Sequence, residues 1–199
     1  MKVKSISKYF QRNSDKFDKH VAIENLVLAR NILNTLNVGH WLTDGTLLGY
    51  YRENDFLSHD IDIDLGCFIN DYTDEIIHQF ISSGWRIIHI FGRREIGFEL
   101  SFCRKDIQLD IFFFYKDKDT FWHGAWKQTE KGSNLIKYVY DRFELREIEF
   151  KAEKFYIPNE TEKYIETKYG PDWRKPVKKW DWAYGPSNAV PTDYYMERY

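Results

Sequence analysis

Between Ser58 and Gly66 the chain reads Ser-His-Asp-Ile-Asp-Ile-Asp-Leu-Gly, with acidic and apolar residues in strict alternation. A period of two belongs to a β-strand, which predicts Asp60, Asp62 and Asp64 on one face and Ile61, Ile63 and Leu65 on the other. The apolar face needs a core beneath it. The acidic face then carries like charges about 7 Å apart, which repel one another and weaken the strand. A positive partner is expected, and ligation by oxygen alone favours Mg²⁺ or Mn²⁺ over Zn²⁺. The competing reading is a solvated acidic face, or one paired with Arg52, Arg93 or Arg94. On such a strand Asp60 and Asp64 would stand about 13 Å apart, too far for one ion to take all three.

A second acid sits inside one of the most apolar stretches, Ile107-Gln108-Leu109-Asp110-Ile111-Phe112-Phe113-Phe114. A buried carboxylate is costly unless it is protonated, salt-bridged or bound to metal. The chain between Asp64 and Asp110 holds one predicted helix and two predicted strands, enough to set the two acidic strands side by side. An ion pair would account for Asp110 alone. Together with the acidic strand, a shared metal site accounts for both.

The rest of the chain constrains the setting. Its 199 residues predict a single domain, 1–199. The charge of −2 offers no basic field for nucleic acid. Apolar runs reach only about five residues where a membrane span needs roughly 20. The start, MKVKSISKYFQRN, lacks an apolar signal region, which leads to the expectation of a cytoplasmic protein, or one peripheral to the membrane. Two cysteines, Cys67 and Cys103, make neither a disulfide framework nor a four-ligand zinc site.

Apolar spacing predicts a helix over Asp18–Asn37 ended by Gly39, and another over Thr73–Ser83 stopped by Gly84. A third is predicted from Asn159 to Tyr169, with Glu162 three residues after its start. Strands are expected at 40–43, 61–65, 85–91, 97–104, 107–115, 135–140 and 145–151, with 97–104 and 107–115 joined as a hairpin through Lys105-Asp106. The fold class is therefore α+β, a mixed sheet with helices at its edges or on one face. From Trp173 onward the chain is rich in Trp, Tyr and Pro and shows no period, so it is expected to pack onto the domain through its aromatic rings.

Asp44-Gly45-Thr46-Leu47-Leu48-Gly49 precedes the acidic strand. Gly45 allows a close backbone approach, Thr46 can cap the short segment that follows, and Arg52 adds a planar donor. If that segment is helical, its free N–H groups suit a phosphate. Metal-binding acids beside a glycine turn describe a site for a nucleotide diphosphate or triphosphate.

This layout resembles the nucleotidyltransferase fold of the DNA polymerase beta superfamily, and more closely its LicD/fukutin-related branch. The resemblance is carried by Trp41 to Gly49, Arg52 and Phe56 to Gly66, then Leu109 to Phe112. It closes with Pro158, Tyr164-Ile165, Tyr169-Gly170, Trp173 and Pro176. His59 and Ser58 depart from it, standing where the family usually has Trp and Pro. The resemblance implies transfer of a phosphorylated alcohol, phosphocholine or an alditol or glycerol phosphate, from a CDP-linked donor to a glycan or its precursor. It also implies that Asp62, Asp64 and Asp110 serve as metal ligands and catalytic acids, with Gly45, Thr46 and Arg52 toward the donor. The residues alone allow Asp60 with Asp62 as readily as Asp62 with Asp64. Two rival readings remain: transfer of a nucleoside monophosphate from CTP or ATP, which shares the fold and the acids, and a non-catalytic carbohydrate-binding module, in which the aromatics dominate and the acids are structural. Trp173, Trp180, Trp182 and Tyr184 either pin the tail to the core or offer a platform to a sugar.

Overall fold

The computed structural model describes residues 17–177 and 180–196; the amino-terminal stretch read above for targeting lies outside them. Asp18 opens helix α1 (Lys19–Thr35), its carboxylate accepting from the backbone N–H groups of His20 and Val21. Ala22, Leu26, Ala29 and Leu33 line its fully buried stripe. The helix ends earlier than Gly39. Asn37 takes the left-handed conformation at φ 55°, and the Val38 N–H closes back on the Leu33 carbonyl, a job a short polar side chain tolerates. Buried Asn25 exchanges hydrogen bonds with Arg104, tying α1 to the sheet.

Strand β1 (His40–Leu42) leads into helix α2 (Asp44–Glu53), which starts before Thr46 rather than after it and so places Thr46 inside the helix. Strand β2 (Asp62–Phe68) follows, then a 3₁₀ turn and helix α3 (Glu75–Ser82), which Gly84 ends at φ 84° as expected. Strands β3 (Arg86–Arg93), β4 (Ile96–Arg104) and β5 (Ile107–Lys116) come next. β4 and β5 form the expected antiparallel hairpin. Lys105 and Asp106 both have positive φ, matching the right-handed twist of the strands they join.

Strand β6 (Thr120–Thr129) is an addition to the sequence reading: His123 and Gly124 interrupt its apolar alternation. Then come β7 (Gly132–Asp141), β8 (Leu145–Phe150), β9 (Glu153–Pro158) and helix α4 (Thr161–Tyr169). The expected cap at Asn159 is displaced. Asn159 accepts from the Glu160 N–H, and helix α4 begins one residue later. The unpatterned tail ends in an edge strand, β10 (Ala189–Met196), whose pairing with β7 slips between Pro191 and Tyr195. Asn134 spans that slip by donating to the carbonyls of Thr192 and Tyr194.

The main sheet is mixed, ordered β1-β2-β5-β6-β7-β10, with β4 and then β3 joined to the other edge of β5. β2 and β5 run parallel; the other strand pairs among the described residues are antiparallel. One face of the central strands carries Ile63, Leu65, Leu100, Phe102, Leu109, Ile111 and Phe113, all fully buried, and α1 and α3 pack there. The α+β expectation holds. Among the described residues no helix is long and apolar enough to cross a membrane.

The opposite face changes character along each strand, from Asp62 and Asp64 through Gly66 to Phe68, and from Asp110 to Phe112 and Phe114. Trp41 lies across Gly66 and packs on Phe68 and Phe114 at 4.9 Å. A Cβ on Gly66 would fall 2.5 Å from the Trp41 indole. Gly66→Ala should therefore lower stability by about 1–3 kcal/mol in urea denaturation, the usual cost of overpacking.

Candidate active site

The parallel register of β2 and β5 sets Asp64 directly beside Asp110 and Asp62 beside Gln108. Alternation puts Asp62, Asp64 and Asp110 on the same face, and neighbouring strands lie about 4.8 Å apart. Asp64 and Asp110 are each 6% exposed. Both Asp110 oxygens accept from the Gln108 amide, at 3.0 and 2.8 Å. Burial, and then the charges of Asp62, Asp44, Asp60 and Asp110, push the Asp64 carboxyl well above the usual carboxylate range.

Asp60 does not sit where simple alternation puts it. The strand begins at Asp62, and Asp60 lies in the bend before it, its N–H bonded to the Leu57 carbonyl. That bend brings its carboxylate back toward α2. Two Asp60 oxygens and one from Asp64 stand within 3.3 Å of the point a Cβ on Gly45 would occupy. The 13 Å separation holds only for a straight strand. Asp60 and Asp64 meet at Gly45, and glycine is the residue that leaves them room.

Thr46 clamps Asp64 from the helix side. Its backbone N–H donates to Asp64 Oδ2 at 3.2 Å, and its hydroxyl accepts from the Asp64 N–H at 2.8 Å. The helix amino end expected to face a phosphate thus already holds a carboxylate. Arg52 stands at the other end of α2, about 12 Å along the axis from Asp44. It donates to Glu53 and to the Trp173 carbonyl, so the structure does not bring it together with the acids. Arg94 is occupied on Tyr72, its guanidinium 4.9 Å from that ring.

Four residues join the site that sequence reading passed over as functional. Asp44, left-handed at φ 45° at the head of α2, forms a short ion pair with Lys168 of α4. Both side chains are nearly buried, and His123 Nε2 of β6 stands 3.9 Å from the same carboxylate. Burial alone would raise the Asp44 carboxyl, but Lys168 and His123 hold it below its ordinary range. His123, fully buried among Phe112, Phe114, Tyr138 and Tyr140, has its pKa lowered by desolvation to about 4. Tyr169 lies close enough to Asp44, Asp64 and Asp60 that their charges, added to burial, raise its phenol. A lysine inside an ordinary amphipathic helix carries no local mark of this role, and only α4 docking on β7 reveals it.

The donor set here is all oxygen, concentrated and mutually repelling, which suits a hard divalent cation. Among the described residues no group of three or more His, Cys, Asp or Glu side chains is placed to hold a metal ion. Mg²⁺ asks for less, one or two carboxylates with water and substrate phosphates completing its shell. Asp64 and Asp110, side by side on the parallel strands, are carboxylates of that number and kind.

The Asp44–Lys168 pair should behave as a buried ion pair. Lys168→Met is expected to cost about 3–5 kcal/mol by stranding a buried carboxylate, and the Asp44→Asn/Lys168→Met double variant should regain most of it in chemical denaturation. His123 generates a pH dependence. The unfolded chain binds its proton near pH 6.5 and the folded chain only near 4, so stability should fall as pH drops through that interval. His123→Gln should flatten the fall in a melting-temperature series.

Comparison with known proteins adds to this geometry. A family model described as LicD/FKTN/FKRP, nucleotidyltransferase domain, matches residues 37–160, the stretch from β1 through β9 that carries Asp44, Asp60, Asp62, Asp64 and Asp110. The chain is 44% identical over 171 residues to the ribitol-5-phosphate transferase FKTN of Homo sapiens and of Macaca fascicularis, covering 85% of this chain. An uncharacterized protein of Caenorhabditis elegans is 30% identical over 81% of the chain. The match spans 37% of the length of the two FKTN relatives and 45% of the nematode protein. On the family model and these relatives together, the chain belongs to the LicD/FKTN/FKRP family.

Proposed function

We propose that the chain is a metal-dependent phosphotransferase moving a phosphorylated alcohol from a CDP-linked donor to a hydroxyl of a glycan or glycan precursor. The observation that carries this reading is the side-by-side placement of Asp64 and Asp110 on parallel strands, with Asp62 on the same face and Asp60 beside Gly45. The activity in the FKTN relatives' name makes ribitol 5-phosphate the first alcohol to test.

In this reading the acceptor oxygen bonds to the alcohol-bearing phosphorus while the bond from that phosphorus to the bridging oxygen breaks, and CMP leaves. Asp62, Asp64 and Asp110 would hold Mg²⁺ or Mn²⁺, which when bound supplies charge neutralisation for the diphosphate and eases ionisation of the hydroxyl. The chain's own residues do the positioning. Thr46 fixes the Asp64 carboxylate at two points, and Gln108 orients Asp110. Asp110 would either take the hydroxyl proton on a carboxylate oxygen or help hold the metal that eases its loss. Gly45 keeps the approach to Asp60 and Asp64 open. Lys168 offsets one carboxylate of the cluster through Asp44. Fixed geometry and charge supply most of the rate in transfers of this kind.

Incubation with Mg²⁺, CDP-ribitol, CDP-glycerol or CDP-choline and a glycan panel should release CMP. Asp62→Asn and Asp64→Asn should each lower that rate at least about a hundredfold. Pyrophosphate release from CTP or ATP without CMP release would replace the proposal with nucleotidyl transfer. In metal-free buffer Asp64→Asn should melt no lower than the wild type, because the amide oxygen can still accept from Thr46 while one repelling charge is gone. A markedly lower melting point would make the acid cluster structural.

A further inference from the structure

The four aromatic residues that sequence reading grouped at the carboxyl-terminal end separate in the structure. Trp173 is 5% exposed and packs on Tyr51, with the Arg174 guanidinium on its ring, so it pins the chain. Trp180 is half-buried against Tyr169. Trp182 and Tyr184 are each 48% exposed.

Their exposure is built rather than loose. The Asp181 carboxylate accepts from the N–H groups of Ala183 and Tyr184, and the Gly185 N–H donates to the Asp181 carbonyl. Ala183, between the two rings, is fully buried and anchors the turn. The Tyr138 hydroxyl donates to the Trp182 carbonyl at 2.7 Å. The ring of Tyr138 in turn carries the Lys168 ammonium 4.7 Å from its centre, and Lys168 is the partner of Asp44. The exposed turn is therefore joined to the acid site through two side chains. Lys127 completes it. Its ammonium sits 4.2 Å from the Tyr184 ring centre and 3.7 Å from Asp181 Oδ1, and the Asp181 side chain is 53% exposed.

We infer that Trp182 and Tyr184, flanked by Asp181 and Lys127, form a subsite for a pyranose ring of the acceptor glycan. This rests on the phosphotransferase reading for the identity of the acceptor, though not for the binding itself. Two aromatic faces held rigidly in water cost little ordering entropy when a ligand arrives. A sugar presents C–H groups of slight positive charge to the negative face of such rings. Its hydroxyls need donors and acceptors at the rim, which Lys127 and Asp181 supply. Tyr138, which donates to the Trp182 carbonyl, also carries Lys168, the partner of Asp44, so the turn that bears the rings is tied to the acid site.

The test uses the full chain and needs no turnover. Saturation-transfer NMR with maltotetraose, cellotetraose, xylotetraose and chitotetraose should show pyranose C–H contacts for at least one of them, with indole fluorescence changing in parallel. Trp182→Ala/Tyr184→Ala should weaken that binding roughly five- to tenfold or more, while CDP binding by calorimetry and the melting temperature stay unchanged. Absence of sugar contacts in the wild type, or unchanged contacts in the double variant, overturns the subsite. So does concentration-dependent dimerisation in sedimentation that the double variant abolishes, since a second copy would then cover the rings. Sugar binding without CMP release would instead overturn the transferase reading and leave the subsite standing, so the two failures are distinguishable.

Discussion

Carboxylates that repel one another, held together by a parallel strand pair, are the constraint around which the rest of this protein is arranged. β2 and β5 place Asp64 and Asp110 side by side, and Asp60, Asp62 and Asp44 add charge to the same neighbourhood. That arrangement opposes folding, and its offsets can be named. The opposite face of the same strands is fully buried hydrocarbon against α1 and α3. Thr46 and Gln108 supply hydrogen bonds to Asp64 and Asp110, and Lys168 neutralises Asp44. A site that concentrates like charge in this way is costly to maintain, which is the ground for proposing a cation and an anionic donor there.

The aromatic residues, 18% of the chain, have three separate uses. Trp41, Phe68, Phe114 and Phe143 pack over the end of the sheet face where the acids stop, which keeps water from the far side of the cluster. Tyr140 stacks on Tyr164 at 4.3 Å, and Tyr164 shares a hydrogen bond with Thr43 at the head of α2, so helix α4 and helix α2 are held in register. Trp182 and Tyr184 remain in solvent. One composition figure thus covers a core, a brace and a surface.

What could be read early and what could not follows from the range of the forces involved. The alternation at 60–65 showed a strand with an acidic face. It did not show that Asp60 leaves the strand, because the bend depends on how the chain after α2 closes against β2. The resemblance to a known family picked Asp62, Asp64 and Asp110, and the register agrees in placing them on one face. Arg52 was the misleading member. Its charge suggested phosphate, but helix α2 carries it away from the acids to Trp173. Strands β6 and β10 left weak signals because His123, Gly124 and the slipped pairing at Pro191 break their period.

Taken alone, the order of residues determined the local matters: a capped first helix, a hairpin at Lys105-Asp106, a strand with apolar and acidic faces, and an acid inside an apolar run. Each depends on neighbours a few positions away, whose periodicity and turn chemistry are written in the chain. Tertiary structure alone decided that Lys168 meets Asp44, that His123 is buried beside them, that Thr46 clamps a carboxylate, and that two of four tail aromatics face water. Those contacts join residues from 18 to 124 positions apart, or depend on which surface the completed sheet leaves uncovered. No short-range pattern encodes such distances, because the energy that selects them is released only when the helices dock on the sheet.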